Sequence, residues 1–138
     1  PGSPWDAHVV LRGIFTEAKQ TLTIVDAYAN GTIFSMLVGQ PLDALRVEIL
    51  CSRYAAAVAA EGRTFKTQHN LGSLEVRQAA DFHDRFIIID GASCVHVGAS
   101  IKDAGRTAFM VSRVEDPANL AAILQTLQHS WAAATPVA

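Results

Sequence analysis

The chain has 138 residues, half of them hydrophobic and only 17% charged, with a formal net charge of −2 at pH 7. That length makes one domain with a proper core, and the composition points to a folded α/β domain with well-covered strands. No apolar run is long enough to span a bilayer, no charged-then-apolar leader opens the chain, and the slightly acidic balance does not advertise nucleic-acid binding.

Residues 1–4, Pro-Gly-Ser-Pro, read as a tail left by expression. Residues 5–138 read as a single domain that fits excision from a longer protein. Asp6 caps a helix over 7–20, with Val10, Ile14, Phe15 and Ala18 at helical spacing as its buried stripe. Residues 21–28 make a strand, β-branched at Thr21, Thr23, Ile24 and Val25. Asp26 near its end either faces a site or caps the next turn. Gly31-Thr32 opens a short helix through Leu37, ended by Gly39-Gln40-Pro41. A second strand covers 45–51. Arg53, just beyond it, is a candidate phosphate contact, because ligands of open parallel sheets collect outside the carboxyl ends of strands. A plain surface arginine is the competing reading. Residues 54–68 form an Ala-rich helix with Gly62 as an internal weak point.

A short strand over 74–77 leads to the central stretch 82–91, Phe-His-Asp-Arg-Phe-Ile-Ile-Ile-Asp-Gly. Its Phe-Ile body favours a buried strand, and Asp90-Gly91 closes it with turn chemistry. His83 and Arg85 stand two apart at the entrance, so on a strand they share a face. That pairs an imidazole able to attack or pass a proton with a forked cation able to hold phosphate oxygens. The bland alternatives are a structural strand entry and, for Asp90, a strand-ending turn. A tight turn leads to the next strand, 92–98, and 108–111 makes one more. Pro117 starts a helix to about residue 134, with Leu120, Ile123, Leu124, Leu127 and Trp131 as its core stripe. The order αβαβαβββα implies a mixed β-sheet sandwiched between helices. Cys51 and Cys94 lie in strand-like apolar settings and read as reduced core thiols of a cytoplasmic protein, not as metal ligands. Between Arg46 and Arg113 nine Lys/Arg stand against seven Asp/Glu, which fits either a local basic groove or ordinary solvated charge.

His83-x-Arg85-x4-Asp90 resembles the His-x-Lys-x4-Asp signature of the phospholipase D superfamily, with Arg in the Lys position. Residues 98–102, Gly-Ala-Ser-Ile-Lys, resemble the Gly-Ser-x-Asn that follows it. Two alignments are open there. Either Ala99 and Ile101 replace the family Ser and Asn, or a one-residue bulge lets Ser100 match the Ser while Lys102 replaces the Asn. The element order resembles one half of such an enzyme, over nearly the whole chain.

The resemblance implies phosphodiester chemistry in which two motifs converge. One His attacks phosphorus to form a phosphohistidine, and the other protonates the leaving oxygen. This chain has one motif, so the resemblance implies a homodimer in which each subunit supplies one His83 to a shared site. It assigns His83 as nucleophile and general acid, Arg85 to the non-bridging oxygens, and Asp90 to orienting an imidazole or guanidinium. Ser100 and Lys102 would add phosphate donors. No metal or other cofactor is implied. A nuclease acting on DNA, RNA or another phosphodiester is one reading, since small single-motif members of the superfamily are typically nucleases. The other is a catalytically degenerate module that binds phosphate or nucleic acid, or only dimerises, within a larger protein. The Arg-for-Lys change and the loose Gly-Ser segment favour that second reading.

Overall fold

Leu11, Ile14 and Phe15 recur at one helical face and are buried, which lays α1 (Pro4–Thr16) against a sheet, and Ala18, expected in the same stripe, is buried just past the helix end. Val10, expected in that stripe, is 45% exposed, and Leu11 takes its place. The computed structural model describes residues 4–80, 82–103 and 110–137. After α1 come β1 (Thr21–Val25), α2 (Thr32–Ser35), β2 (Arg46–Cys51), α3 (Ala55–His69) and β3 (Ser73–Gln78). They are followed by β4 (Phe86–Ile89), β5 (Ser93–Val97), β6 (Val111–Arg113), α4 (Pro117–Ala133) and β7 (Thr135–Pro136). A 3₁₀ turn, Ile101–Asp103, lies between β5 and β6. Of the strand expected over 108–111, residues 108 and 109 lie outside the described residues, and the observed strand begins at Val111.

The strands form one mixed sheet in the order β6-β5-β4-β1-β2-β3-β7. β1, β2 and β3 run parallel, as short helical crossovers require, while β4 returns antiparallel to β1 and continues by hairpin into β5. That hairpin turns through Asp90 and Gly91, at φ +54 and +67, the two positive angles of a type I′ turn. β7, which no sequence signal announced, is two residues that pair antiparallel to β3.

Helices cover both faces, unequally. The main core, including Leu22, Ile24, Val47, Ile49, Ile87 and Ile89, lies under α1, α2 and α3. The opposite face presents Val25, Leu50, Phe86, Ile88 and Cys94 to α4, the one helix on that side among the described residues. α4 begins as its sequence indicates, with Pro117 in the first turn and the Asp116 carboxylate accepting from the Asn119 amide at 2.8 Å. Its expected stripe packs on this face, yet none of its residues is fully buried, because one helix cannot cover a seven-stranded sheet. No helix among the described residues is long and apolar enough to cross a membrane.

Gly62 is a close-packing position rather than a weak point. A side chain there would meet Leu74 and Phe34, so its absence lets α3 approach the sheet. Gly72 is tighter still, since a Cβ would come to 2.7 Å from the Asp43 carbonyl and 2.8 Å from that of Leu45. Backbone cannot yield as a side-chain tip can. Gly72→Ala is therefore expected to destabilise the domain by about 1–3 kcal/mol in urea unfolding, while Gly13→Ala, within α1 and with open space around it, is expected to stabilise it by about 0.5–1 kcal/mol.

Candidate active site

The parallel β1–β2 pair and the antiparallel β4 bring three chain segments to one end of the sheet: the exits of β1 and β2 and the entrance of β4. Asp26 is the first residue past β1 and is completely buried. Its Oδ1 accepts from the Tyr28 amide at 3.0 Å, closing an Asx turn that ends the strand at the last of its β-branched residues, three residues before the end expected at Tyr28. Its Oδ2 accepts from the Ser100 hydroxyl at 2.8 Å and the Ile101 amide at 2.9 Å. The Arg85 Nε lies 3.7 Å from Oδ1. Asp26 thus caps the turn and also lies against Ser100 and Arg85, two residues singled out from the sequence. Cys51 registers the same carboxylate. Burial pushes its thiol up to about 11, and the negative charge of Asp26 adds to the shift.

Arg85 is half-buried and in register, since its carbonyl accepts from the Val97 amide at 3.0 Å. Strand alternation puts it on the face of Ile87 and Ile89. His83 precedes the ordered strand and is exposed. The shared-face argument therefore applies through Arg85, while His83 stands in irregular chain at the same end of the sheet. The neighbouring Phe82, Asp84 and Phe86 line a cavity of about 640 Å³ between α4 and the opposite face.

Asp90 is not brought to this place. It follows β4 at its far end, about 16 Å from Arg85 at strand rise. Its carboxylate accepts from the backbone amides of Lys19, Gln20 and Thr21, the shortest at 2.7 Å. It anchors the α1–β1 connection, which also explains why the helix expected over 7–20 stops at Thr16. Those amides hold its carboxyl below the ordinary carboxylate range, Gln20 and Thr21 contributing most. A depressed folded pKa means the stabilisation is complete above about pH 4 and disappears as pH falls through the folded value. Asp90→Asn keeps a residue that tolerates positive φ. It is expected to lower the melting temperature at pH 7, with the gap to wild type closing in acid below pH 4.

Ser100 is adjacent but buried, and its one hydroxyl proton is given to Asp26, so it has none to offer a phosphate. Its place is behind Arg85 rather than in front of it. Lys102 is half-buried, with Nζ 3.2 Å from both oxygens of Asp103. Arg53 is exposed where expected, past β2. Its amide and that of Ser52 donate to the Ala27 carbonyl, and its guanidinium lies 5.8 Å from the Tyr28 ring centre. His96 faces the other side, against the Phe86 ring at 5.4 Å. The sequence brought His83, Arg85 and Arg53 to notice. The centrality of Asp26 was legible only as a polar residue ending an apolar strand.

No protein-family model and no curated protein sequence matches the chain. Solved structures do. Nuc from Salmonella typhimurium, a phospholipase D family member, superposes with a TM-score of 0.62 at 18% identity, over 93% of this chain and 88% of its own. NucT from Helicobacter pylori gives 0.62 at 11% identity, over 96% and 91%. TrmBL2, an archaeal chromatin protein described as showing a novel mode of DNA binding, gives 0.62 at 12% identity. That match covers 96% of this chain and 51% of TrmBL2, so the chain spans about half the length of that protein. The fold is phospholipase D-like: a mixed seven-stranded sheet between helices, with the His83–Arg85 segment entering β4.

Proposed function

We propose that this chain is a metal-independent phosphodiesterase, a nuclease that works as a homodimer through a phosphohistidine intermediate. The observation that carries the reading is the placement of Arg85, backed by buried Asp26, beside exposed His83 at the open end of a phospholipase D-like sheet. An imidazole nitrogen of one His83 attacks phosphorus, forming the P–N bond as the bond to the leaving oxygen breaks. His83 of the second copy, in its imidazolium form, gives that oxygen a proton. It then takes a proton from water, whose oxygen displaces the first His83 and releases the product. Arg85 from each copy offsets the charge gathering on the non-bridging oxygens. Its Nε edge is turned to Asp26, which leaves the terminal fork for phosphate. Arg53 and Lys102 flank the same end as further phosphate contacts. Asp90 and Ser100 support the framework and do not touch substrate. A cytoplasmic setting accords with two buried free thiols.

The deciding experiment is cleavage of labelled single- and double-stranded DNA and RNA in EDTA, comparing wild type with His83→Ala. Cleavage that survives the chelator and vanishes with the substitution supports the reading. No cleavage, or cleavage indifferent to His83, removes it. A second reading, a module that binds phosphate or nucleic acid without breaking it and serves or dimerises a larger protein, is favoured by one specific observation. Arg85 and Lys102 each already face a carboxylate. Oligonucleotide binding without turnover decides for it.

A further inference from the structure

We propose that the cavity beneath α4 is a binding site for a small amphiphilic cation, an apolar body that carries one ammonium group to Asp84. The inference stands apart from the phosphate reading and uses none of its side chains. The space has a cause in the sequence. Side chains are small on both sides of it: Ala122, Thr126 and Ser130 on α4, and Ala79 just past β3. Groups of that size do not close the gap, and about 640 Å³ stays open. The rest of the lining is mostly apolar, with Val25, Leu50, Phe82 and Phe86 across from Ile123 and Leu127 of α4. Water finds few partners there, so an apolar occupant is favoured over solvent. The volume falls within the range of about 300–1,000 Å³ of small-molecule sites. A hollow set between helix and sheet suits such a ligand better than the surface of a second copy.

The charge of the ligand follows from Asp84. Among the described residues it is the one charged side chain that lines the cavity. It is exposed, and its carboxylate has no ion-pair or hydrogen-bond partner among them. The nearby cations are engaged elsewhere. Arg85 is turned to Asp26, and Arg77 is paired with Glu75 and stacked on Trp131. Neither lines the cavity, and neither does His83, although it precedes Asp84 in the chain. His96 lies against the Phe86 ring, and the other polar lining groups, the hydroxyls of Thr126 and Ser130, are neutral. An anionic occupant therefore meets an uncompensated carboxylate, whereas an ammonium gains a charge-assisted hydrogen bond. The rings of Phe82 and Phe86, two residues to either side of Asp84, line the same space and suit both a cation and an aromatic body.

The test is an NMR titration at pH 8 with naphthylethylamine, naphthylethanol and naphthylacetate, a cation, a neutral molecule and an anion that share one ring system. Wild type is expected to bind the amine about tenfold more tightly than the acid, with the alcohol between, because one gains and the other loses an exposed ion-pair interaction. The perturbed signals are expected at lining residues such as Phe86 and Leu127. Asp84→Asn is expected to bring the amine and the acid within about threefold and to leave the alcohol unchanged. Ile123→Trp, which puts an indole into the space, is expected to abolish binding of every probe. If that variant does not fold, Ala122→Trp, at an exposed position of α4, replaces it. Equal binding of amine and acid by wild type, a preference that survives Asp84→Asn, or unchanged binding in the filled variant overturns the inference. So does failure to bind any probe, and signals that then broaden with protein concentration identify a second copy as the cover. The phosphate reading is judged separately, by cleavage and its dependence on His83.

Discussion

His83→Ala is expected to reduce EDTA-resistant phosphodiester cleavage by about 10⁴-fold or more while leaving the fold intact. The size follows from the role: removing a nucleophile leaves only positioning and charge stabilisation, and in a shared site the same substitution also deletes the general acid. The intact fold follows from position. His83 is exposed and precedes the ordered part of β4, so its truncation forms no cavity. Its unfolding free energy is expected within about 0.5 kcal/mol of wild type. Mixing wild type with the His83→Ala chain probes the shared site. If two copies of His83 act together, activity falls with the square of the wild-type fraction. A linear decline means that each chain acts alone and the dimeric mechanism is wrong.

Asp26→Ala is expected to cost about 3 kcal/mol or more of stability, measured by urea unfolding. The substitution strands the Ser100 hydroxyl and the Ile101 amide in a place water does not reach, and it releases the Tyr28 amide from its turn. Arg85 contributes less to the loss, because its side chain is 25% exposed and can turn to water. The damage reaches function as well. Among the described residues Asp26 is the group that holds the guanidinium at the β4 entrance and ties the segment after β5 to the end of β1, and its loss frees both. A loss below about 1 kcal/mol would mean that these donors find other partners, and that Asp26 is not the post on which the site is built.

Much of this molecule was legible in the sequence, because local physics decided it. Strands with β-branched runs, the Asp-Gly turn after Ile89 and the Pro117 helix start depend on residues within a few positions of each other, and each appears within a few residues of its expected place. The resemblance carried by His83, Arg85 and Asp90 led to a phospholipase D-like fold, and the superposition on Nuc shows that fold. Spacing along the chain did not reveal which of those residues meet. Asp90 is five residues from Arg85 in sequence, yet a strand is stiff and extended, so it ends at the far edge among the amides of Lys19, Gln20 and Thr21. Ser100 is 74 residues from Asp26, yet β4 returning antiparallel beside β1, and β5 running back beside β4, bring them to 2.8 Å. The sequence determined the elements and the residues able to do chemistry. Only the tertiary structure decided that Asp26, not Asp90, is the carboxylate at Arg85, because pairing across a sheet depends on register and direction that no local pattern encodes.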